Sequence, residues 1–321
     1  TVTPRATQLL VEDNFTQNAL STFVGTFLFS IVGIIALTTG IYGAKGRVVL
    51  FFATVVIVLI IAITLLRWIQ HLSSFGRVRD TIERVEVVAR RAMTSWAQTP
   101  RFGGRPAVAI PADAITVLPD RAGYIAHIDM HALATIAEDR DFIIHVASLP
   151  GAFVHPDRPL AHVIGAVDDR CRSRIANAFS VLDDREFEQD PRFGLIVLSE
   201  IASRALSPAV NDPGTAIRVI GSAHRVLIDL VDTDLADDRP DYPRVHVPDL
   251  AIADLFTDVF RPIARDGAAM VEVQLRLQAT LKALAIHAPA TFAAASIDHL
   301  AAARDRAHAA MAHVADADVL D

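Results

Sequence analysis

The chain has 321 residues, of which 52% are apolar and 21% charged, and its mean hydropathy is +0.37. This composition is too apolar for an ordinary soluble protein and too charged for one lying wholly in lipid, so it indicates a membrane part joined to a globular part. The net charge of −7 divides into +2 for residues 1–75 and −9 for the rest. An acidic globular part argues against a nucleic-acid partner. The single cysteine, Cys171, excludes an intramolecular disulfide and indicates a reducing compartment.

Two apolar segments, residues 19–41 and 48–68, are long enough to cross a bilayer. They predict a transmembrane hairpin over residues 19–70, preceded by a pre-membrane segment over residues 1–18. Two basic residues lie in the connecting loop, whereas six arginines lie between positions 67 and 91. The positive-inside tendency therefore places the loop outside and the C-terminal part in the cytoplasm, and the membrane expected is a bacterial inner membrane.

The first apolar segment interleaves small and hydroxyl residues, and such residues let helices approach closely in lipid. They could line the pore of an oligomer, but neither apolar core holds an ionisable residue, which favours helix packing. The partners expected are the lipid bilayer and further copies of this chain. The residues proposed for pore lining or packing are Thr22, Gly25, Thr26, Ser30 and Gly33.

Residues 71–98 predict a helical stalk with one apolar face. The apolar positions follow a 4-3-4-3-4 spacing between charged residues, which is typical of a helix that packs along one side. This seam could join two copies of the chain or pack onto the chain's own globular part. Its members are Val78, Ile82, Val85, Ala89, Ala92 and Trp96.

Residues 99–166 predict a small β-rich module. Short β-rich runs cover residues 114–118, 123–128, 142–147, 153–154 and 160–164, and a short helix follows Asp129 as its N-cap. The pattern resembles the small β-barrels of biotinyl and lipoyl carrier domains, so a barrel-like module is expected. A swinging-arm cofactor is excluded, since the only lysines are Lys45 and Lys282. Neither a cofactor nor a metal is predicted, although five histidines fall here: His127, His131, His145, His155 and His162.

Residues 167–321 predict an α-helical domain. Within it, residues 168–182 predict a helix capped by aspartate, residues 183–191 an acidic loop and residues 239–249 a proline-marked connection. The stretch RALSPAVNDPGTA, residues 204–216, predicts a corner in which Pro208 ends one helix and Asp212 caps the next at Pro213. A polar cluster at this corner could instead contact a ligand or another subunit. The corner interpretation is favoured because caps and turns use the same residue types. The cluster comprises Glu200, Arg204, Ser207, Asn211 and Asp212.

Enzyme signatures for nucleotide, serine-hydrolase and HExxH-type zinc chemistry are absent from the sequence, so no catalytic residues are assigned and catalysis is disfavoured. The function favoured is a homo-oligomeric scaffold or sensor whose cytoplasmic domain binds a small ligand or a protein partner. A homo-oligomeric channel or transport component is the alternative, followed by an enzyme acting on a membrane substrate.

Several motifs together resemble one bacterial membrane-protein family, the domain of unknown function 2254. They are FVGTFLFS, GYIAHID, PGAFVHPDRPLA and SEIASRALSPAVNDPGTA. The resemblance implies a membrane domain of four helices followed by a large globular part. Residues 19–70 would supply one pair of these helices, and either a further pair precedes this sequence or this member departs from the family pattern. It implies no activity, cofactor or site residue. Gly214 departs from the family pattern, where an aromatic residue is common.

Overall fold

In the computed structural model of the protein, residues 3–5, 14–39, 43–74, 78–234 and 239–320 are described. The chain forms two compact units, residues 2–81 and residues 82–321.

The first unit contains two long apolar helices, α1 (Asn14–Thr38) and α2 (Ala44–Ser74), which pack against each other. Within them, Gln17–Thr38 and Lys45–Ile69 are 22 and 25 residues long and apolar enough to cross a membrane. Large apolar side chains such as Phe27 and Phe51 are exposed on both helices, as a lipid-facing surface requires. The two predicted apolar helices are confirmed. The predicted connecting loop falls partly on residues outside the described ranges.

The second unit includes most of α3 (Val78–Gln98) and then alternates strands with helices. A 3₁₀ turn at Pro100–Gly103 leads into β1 (Gly104–Pro106), β2 (Ile115–Val117), β3 (Gly123–Ile128), α4 (Met130–Asp139), β4 (Ile143–Val146), β5 (Phe153–Val154), β6 (Ala161–Ile164), α5 (Asp169–Asn177) and β7 (Phe179–Leu182). The chain continues through α6 (Pro191–Ala205), α7 (Pro213–Asp232), β8 (Tyr242–Val247), α8 (Ile252–Asp266), α9 (Val271–His287), α10 (Pro289–Ala310) and α11 (Val314–Asp318). The predicted strands β2 to β6 and the Asp129-capped helix α4 are confirmed.

The strands form two open sheets, so the expected barrel-like module is wrong. One sheet has the order β1-β8-β4-β6-β2, with β8 parallel to both of its neighbours and the other pairs antiparallel. The other is antiparallel, with the order β5-β3-β7. Barrel closure fails because the strands divide between these sheets and because β8, from far along the chain, inserts between β1 and β4.

Three strands, β1, β7 and β8, lie where the sequence predicted no strand. Residues 239–249 were expected to be a connection, yet β8 occupies Tyr242–Val247, with Val245 and Val247 buried on one face of the sheet. Residues 179–182 were expected to continue a helix, but α5 ends at Asn177 and β7 pairs with β3. The prolines around β8 predict a connection, although its residues alternate between buried and more exposed positions. The four residues of β7 are compatible with a helix or a strand, and only pairing with β3 selects the strand.

The apolar seam of α3 packs within the second unit. Ile82, Val85 and Ala89 are buried there, and a side chain at Gly194 of α6 would overlap the Ala89 Cβ, so the two helices cross closely. The seam therefore packs onto the chain's own globular unit, which is one of the two alternatives that the sequence left open. Helices α6 to α10 enclose an aromatic core of Phe193, Phe256, Phe260 and Phe292.

Candidate ligand-binding cleft

The corner between α6 and α7 has the local structure that the sequence predicts. Helix α6 ends at Ala205, and the Ser207 hydroxyl donates to the Arg204 carbonyl oxygen at 2.7 Å. Asn211 adopts φ of 50° and its N–H donates to the Ser207 carbonyl. Asp212 caps α7 by accepting hydrogen bonds from the backbone and hydroxyl of Thr215, at 3.1 and 2.6 Å. These contacts build a turn and a cap.

The other members of the predicted polar cluster lie on α6. Glu200 is half-buried, and Arg204, one helical turn later, is exposed. The hydrogen bonds from Thr215 lower the pKa of Asp212, so its carboxylate is already committed to the cap. A ligand or subunit contact at this cluster stays a prediction. The contacts described for Ser207 and Asp212 are the local ones of a corner.

The small-residue face of α1 has the features of a packing surface. The hydroxyls of Thr22, Thr26 and Ser30 donate to main-chain carbonyls of their own helix at 2.8 to 2.9 Å. Gly33 faces Leu50 of α2, with 4.0 Å between a built Cβ and the leucine Cδ1, whereas nothing lies within 4 Å of Gly25. These hydroxyl groups are therefore hydrogen-bonded within α1 and need no water, which is compatible with helix packing in lipid.

A cleft of about 450 Å³ lies at the opposite end of α6 from the corner. It is built by the end of α3, by β3, by the turn after β4, by the start of α6 and by the segment leading into α8. The residues that carry its chemistry are Trp96, Tyr124, Gly151, Phe153, Arg158, Arg185, Gln189, Asp190, Arg192, Asp249 and Asp254.

A buried ion pair forms part of the cleft wall. The Arg185 Nε and Nη2 atoms lie 2.8 and 2.6 Å from Asp190 Oδ2, and the Asp190 side chain is 1% exposed. The other Asp190 oxygen caps α6 by accepting from the N–H groups of Arg192 and Phe193. Burial raises the pKa of Asp190, against the lowering effect of Arg185. The carboxylate therefore depends on these hydrogen bonds to remain ionised inside the protein.

Gly151 allows the cleft wall to approach this ion pair. Its φ of 86° lies in the left-handed region that favours glycine, and an added Cβ would overlap the Asp190 carboxylate. The Arg185 guanidinium also lies over the Phe193 ring, 5.2 Å from its centroid. The turn, the ion pair and the start of α6 are consequently one packed arrangement.

Charged side chains at the rim form a second network. Arg192 donates two hydrogen bonds to Asp258, at 2.7 and 3.1 Å, and one to Asp254 Oδ2 at 2.7 Å. Hydrogen bonding to Asp258 raises the pKa of Arg192. Asp249 pairs with Arg101 at 2.7 Å. Arg158 donates from Nη1 to the Phe153 carbonyl oxygen at 3.0 Å.

Aromatic residues provide the apolar part of the lining. The rings of Tyr124 and Phe153 meet edge to face with centroids 5.1 Å apart. Trp96, at the end of α3, also lines a second cavity of about 330 Å³, and Gln189 lines both cavities. The cleft can therefore contact the charged and the apolar parts of one small molecule.

Two of the five histidines of the predicted β-rich module, His145 and His162, form a cross-strand row with His246. His145 of β4 lies in register with His162 of β6 and His246 of β8, and it stacks on His246 with centroids 4.8 Å apart. His145 is 3% exposed, and burial, followed by the neighbouring His246 and His162, lowers its pKa. Within the described ranges, no group of three His, Cys, Asp or Glu side chains has the geometry of a metal site.

The cleft was not predicted from the sequence. Residues 183–191 were predicted to be an acidic loop, although Asp190–Pro191 repeats the Asp-Pro signal that predicts the cap at Asp212. Gly151, directly after Pro150, was a turn signal but gave no indication of the ion pair behind it.

Two apolar helices long enough to span a bilayer, joined in sequence to a mixed α+β unit with an internal cleft, define a membrane protein with a globular domain. Residues 1–283 match the family described as "Predicted membrane protein (DUF2254)", and the chain belongs to that family.

Mycobacterial proteins are similar in sequence to part of the chain. They include the uncharacterized protein Mb1321c of Mycobacterium bovis and the uncharacterized protein Rv1290c of Mycobacterium tuberculosis, each 32% identical over 134 residues. The similarity covers 40% of this chain and 26% of each relative. No solved structure matches the chain.

Proposed function

We propose that the protein is a homo-oligomeric membrane sensor or scaffold whose globular unit binds a small polar ligand in the cleft. The observation that carries this proposal is the cleft itself, whose volume of about 450 Å³ falls in the range of small-molecule sites and which combines charged with aromatic lining.

The position of Trp96 suggests how a bound ligand would be sensed. Trp96 lies on α3, which begins four positions after α2 ends. Bidentate ion pairs join α3 to α7, from Arg225 to Glu86 at 2.5 and 2.7 Å and from Arg90 to Asp229 at 2.6 and 2.9 Å. A ligand that contacts Trp96 would therefore contact α3. That helix is fixed to α7 by two ion pairs and follows α2 closely in sequence.

Tryptophan fluorescence tests ligand binding directly, since the chain has only Trp68 and Trp96. Trp68→Phe leaves Trp96 as the reporter in detergent-solubilised protein. A panel of amino acids, nucleotides, sugar phosphates and dicarboxylates is titrated, and at least one compound is expected to change the emission saturably. Ala251→Phe, which narrows the cleft from an exposed position, should abolish the change, whereas Ala309→Phe on α10 should not. No response to any compound, or binding that survives Ala251→Phe, contradicts the proposal.

The proposed location is the bacterial inner membrane with the globular unit in the cytoplasm. The support is the excess of arginine after the second apolar helix. In a Cys171→Ala background, Gly43→Cys should react with a membrane-impermeant maleimide in intact spheroplasts. Reaction only after lysis would reverse the orientation.

The proposed self-association rests on the small-residue face of α1, since the seam of α3 is buried within the globular unit. Light scattering in mild detergent is expected to give a mass of more than one chain. Gly25→Leu, at a position with open space around it, should reduce that mass, whereas Val24→Leu should not. A monomeric mass for the unmodified chain contradicts self-association.

A further inference from the structure

We propose that the ligand of the cleft is a small zwitterion, with a carboxylate bound by Arg158 and an ammonium bound by Asp254. This inference rests on the proposed function, because it names the chemical class of ligand for the same cleft. It follows from the way the charged side chains around the cleft are already paired.

Most of the charges have partners inside the protein. Asp190 pairs with Arg185, and Asp249 pairs with Arg101. Arg158 donates to a backbone carbonyl and forms no ion pair in the part of the chain that the structure describes. One guanidinium in the lining therefore lacks a carboxylate, and its planar donors suit a carboxylate of the ligand.

The opposite imbalance occurs at Arg192, where two carboxylates share one guanidinium. Asp258 takes two of the Arg192 hydrogen bonds, and its side chain is 15% exposed. Asp254 receives only one, through Oδ2, and is 50% exposed. Asp254 therefore carries negative charge that Arg192 offsets only in part, and an ammonium is a compact donor that can approach its other oxygen.

A zwitterion suits this lining better than either kind of singly charged ligand. An anion bound at Arg158 would share the cleft with the carboxylates of Asp249 and Asp254, and a cation bound at Asp254 would share it with the guanidinium of Arg158. A molecule with one carboxylate and one ammonium group would neutralise both the guanidinium of Arg158 and the partly paired carboxylate of Asp254. Tyr124 and Phe153 can contact the methylene groups between them.

The test compares amino acids of increasing length with singly charged analogues, using the emission of Trp96 in the Trp68→Phe protein. The probes are glycine, 4-aminobutanoate, 6-aminohexanoate, butanoate and butylamine. At least one of the three amino acids is expected to bind at least tenfold more tightly than both butanoate and butylamine. The preferred length would report the separation between the two charged sites.

Two variants assign the two ends of the ligand. Arg158→Gln should weaken amino-acid binding at least tenfold, down to the affinity for butylamine, and Arg158→Lys should retain part of it. Asp254→Asn should weaken it to the affinity for butanoate, while Asp258 continues to hold Arg192. Arg172→Gln and Asp113→Asn, at exposed positions outside the cleft, are the matched controls and should leave binding unchanged. Equal melting temperatures would show that the variants fold.

The outcomes separate this inference from the proposed function. Equal affinity for an amino acid and for butanoate or butylamine would overturn the zwitterion while the cleft remains a ligand site. Binding of a nucleotide or sugar phosphate, with none of the three amino acids bound, would do the same. Binding of none of these probes and no compound of the wider panel would overturn both.

Discussion

Helices α6 and α7 begin at the same dipeptide, Asp-Pro, but the two dipeptides have different surroundings. Asp190–Pro191 begins α6 and Asp212–Pro213 begins α7, and each aspartate caps its helix by accepting a backbone hydrogen bond from the first turn. The Asp190 side chain is buried against Arg185 and beside a cavity, whereas Asp212 is exposed and is described only with contacts to its own turn. One local signal thus forms the wall of a cavity in one place and a corner in the other.

Replacing the two aspartates should give the largest difference. Asp190→Ala is expected to lower the free energy of unfolding by about 3–5 kcal/mol, because it leaves the Arg185 guanidinium buried without its partner and removes the cap. Asp190→Asn keeps a capping oxygen and should lose less. Chemical unfolding in detergent measures both. If Asp190→Ala lowered the free energy of unfolding no more than Asp212→Ala does, the two capping aspartates would not differ in their energetic role.

Replacing the glycine beside Asp190 should also cost more stability than replacing the glycine beside Asp212. Gly151→Ala is expected to cost about 2–4 kcal/mol, since the residue has φ of 86° and the new Cβ overlaps the Asp190 carboxylate. Gly214→Ala, where the nearest atom is Asp212 Oδ1 at 3.4 Å, should be neutral or stabilise the helix by up to about 1 kcal/mol. Combining Gly151→Ala with Asp190→Ala should cost less than the sum, because both act on one contact. Additive losses would indicate separate effects.

The buried side chain of His145 should make the stability of the protein depend on pH. Burial keeps the pKa of His145 below its ordinary 6.5, so below pH 6.5 the unfolded chain gains a proton that the folded chain resists. Stability is therefore fully present above pH 6.5 and falls on acidification, by at most about 1.4 kcal/mol per pH unit from this group. Its neighbours in the row, His246 and His162, oppose protonation further.

His145→Leu is the variant that tests this dependence. Unfolding between pH 7.5 and about 5 should show a smaller loss of stability for His145→Leu than for the unmodified chain. His131→Gln, at an exposed position on α4, is the control and should follow the unmodified chain. The same acid dependence in His145→Leu as in the unmodified chain would mean that His145 takes up its proton freely in the fold.

The corner should give the smallest effect. Asp212→Ala is expected to lower stability by about 1 kcal/mol through loss of the cap, while α7 still begins at Pro213. Oligomeric mass and ligand binding should stay unchanged. The double change Glu200→Gln with Arg204→Gln tests the remaining alternative. Loss of oligomeric mass or binding, with stability retained, would show that the corner also carries a contact site.

Much of the local structure could be predicted because its causes are local. The two apolar helices follow from uninterrupted runs of apolar residues, and the caps at Asp129 and Asp212 follow from side chains that reach their own first turn. Five strands followed from short β-rich runs between turn residues. In each case the energy that selects the structure comes from residues close in sequence.

Tertiary structure decided everything that depends on pairing across long separations. The place of β8 between β1 and β4 set the sheet order and prevented a barrel, and the same strand brought His246 beside His145. The cleft required Trp96, Gly151 and Asp254, which come from three distant segments. The sequence by itself determined the two apolar helices, strands β2 to β6 and the caps at Asp129 and Asp212. That a further cap, Asp190, forms the wall of a cavity was decided only by packing, because burial and ion pairing depend on neighbours that no local pattern specifies.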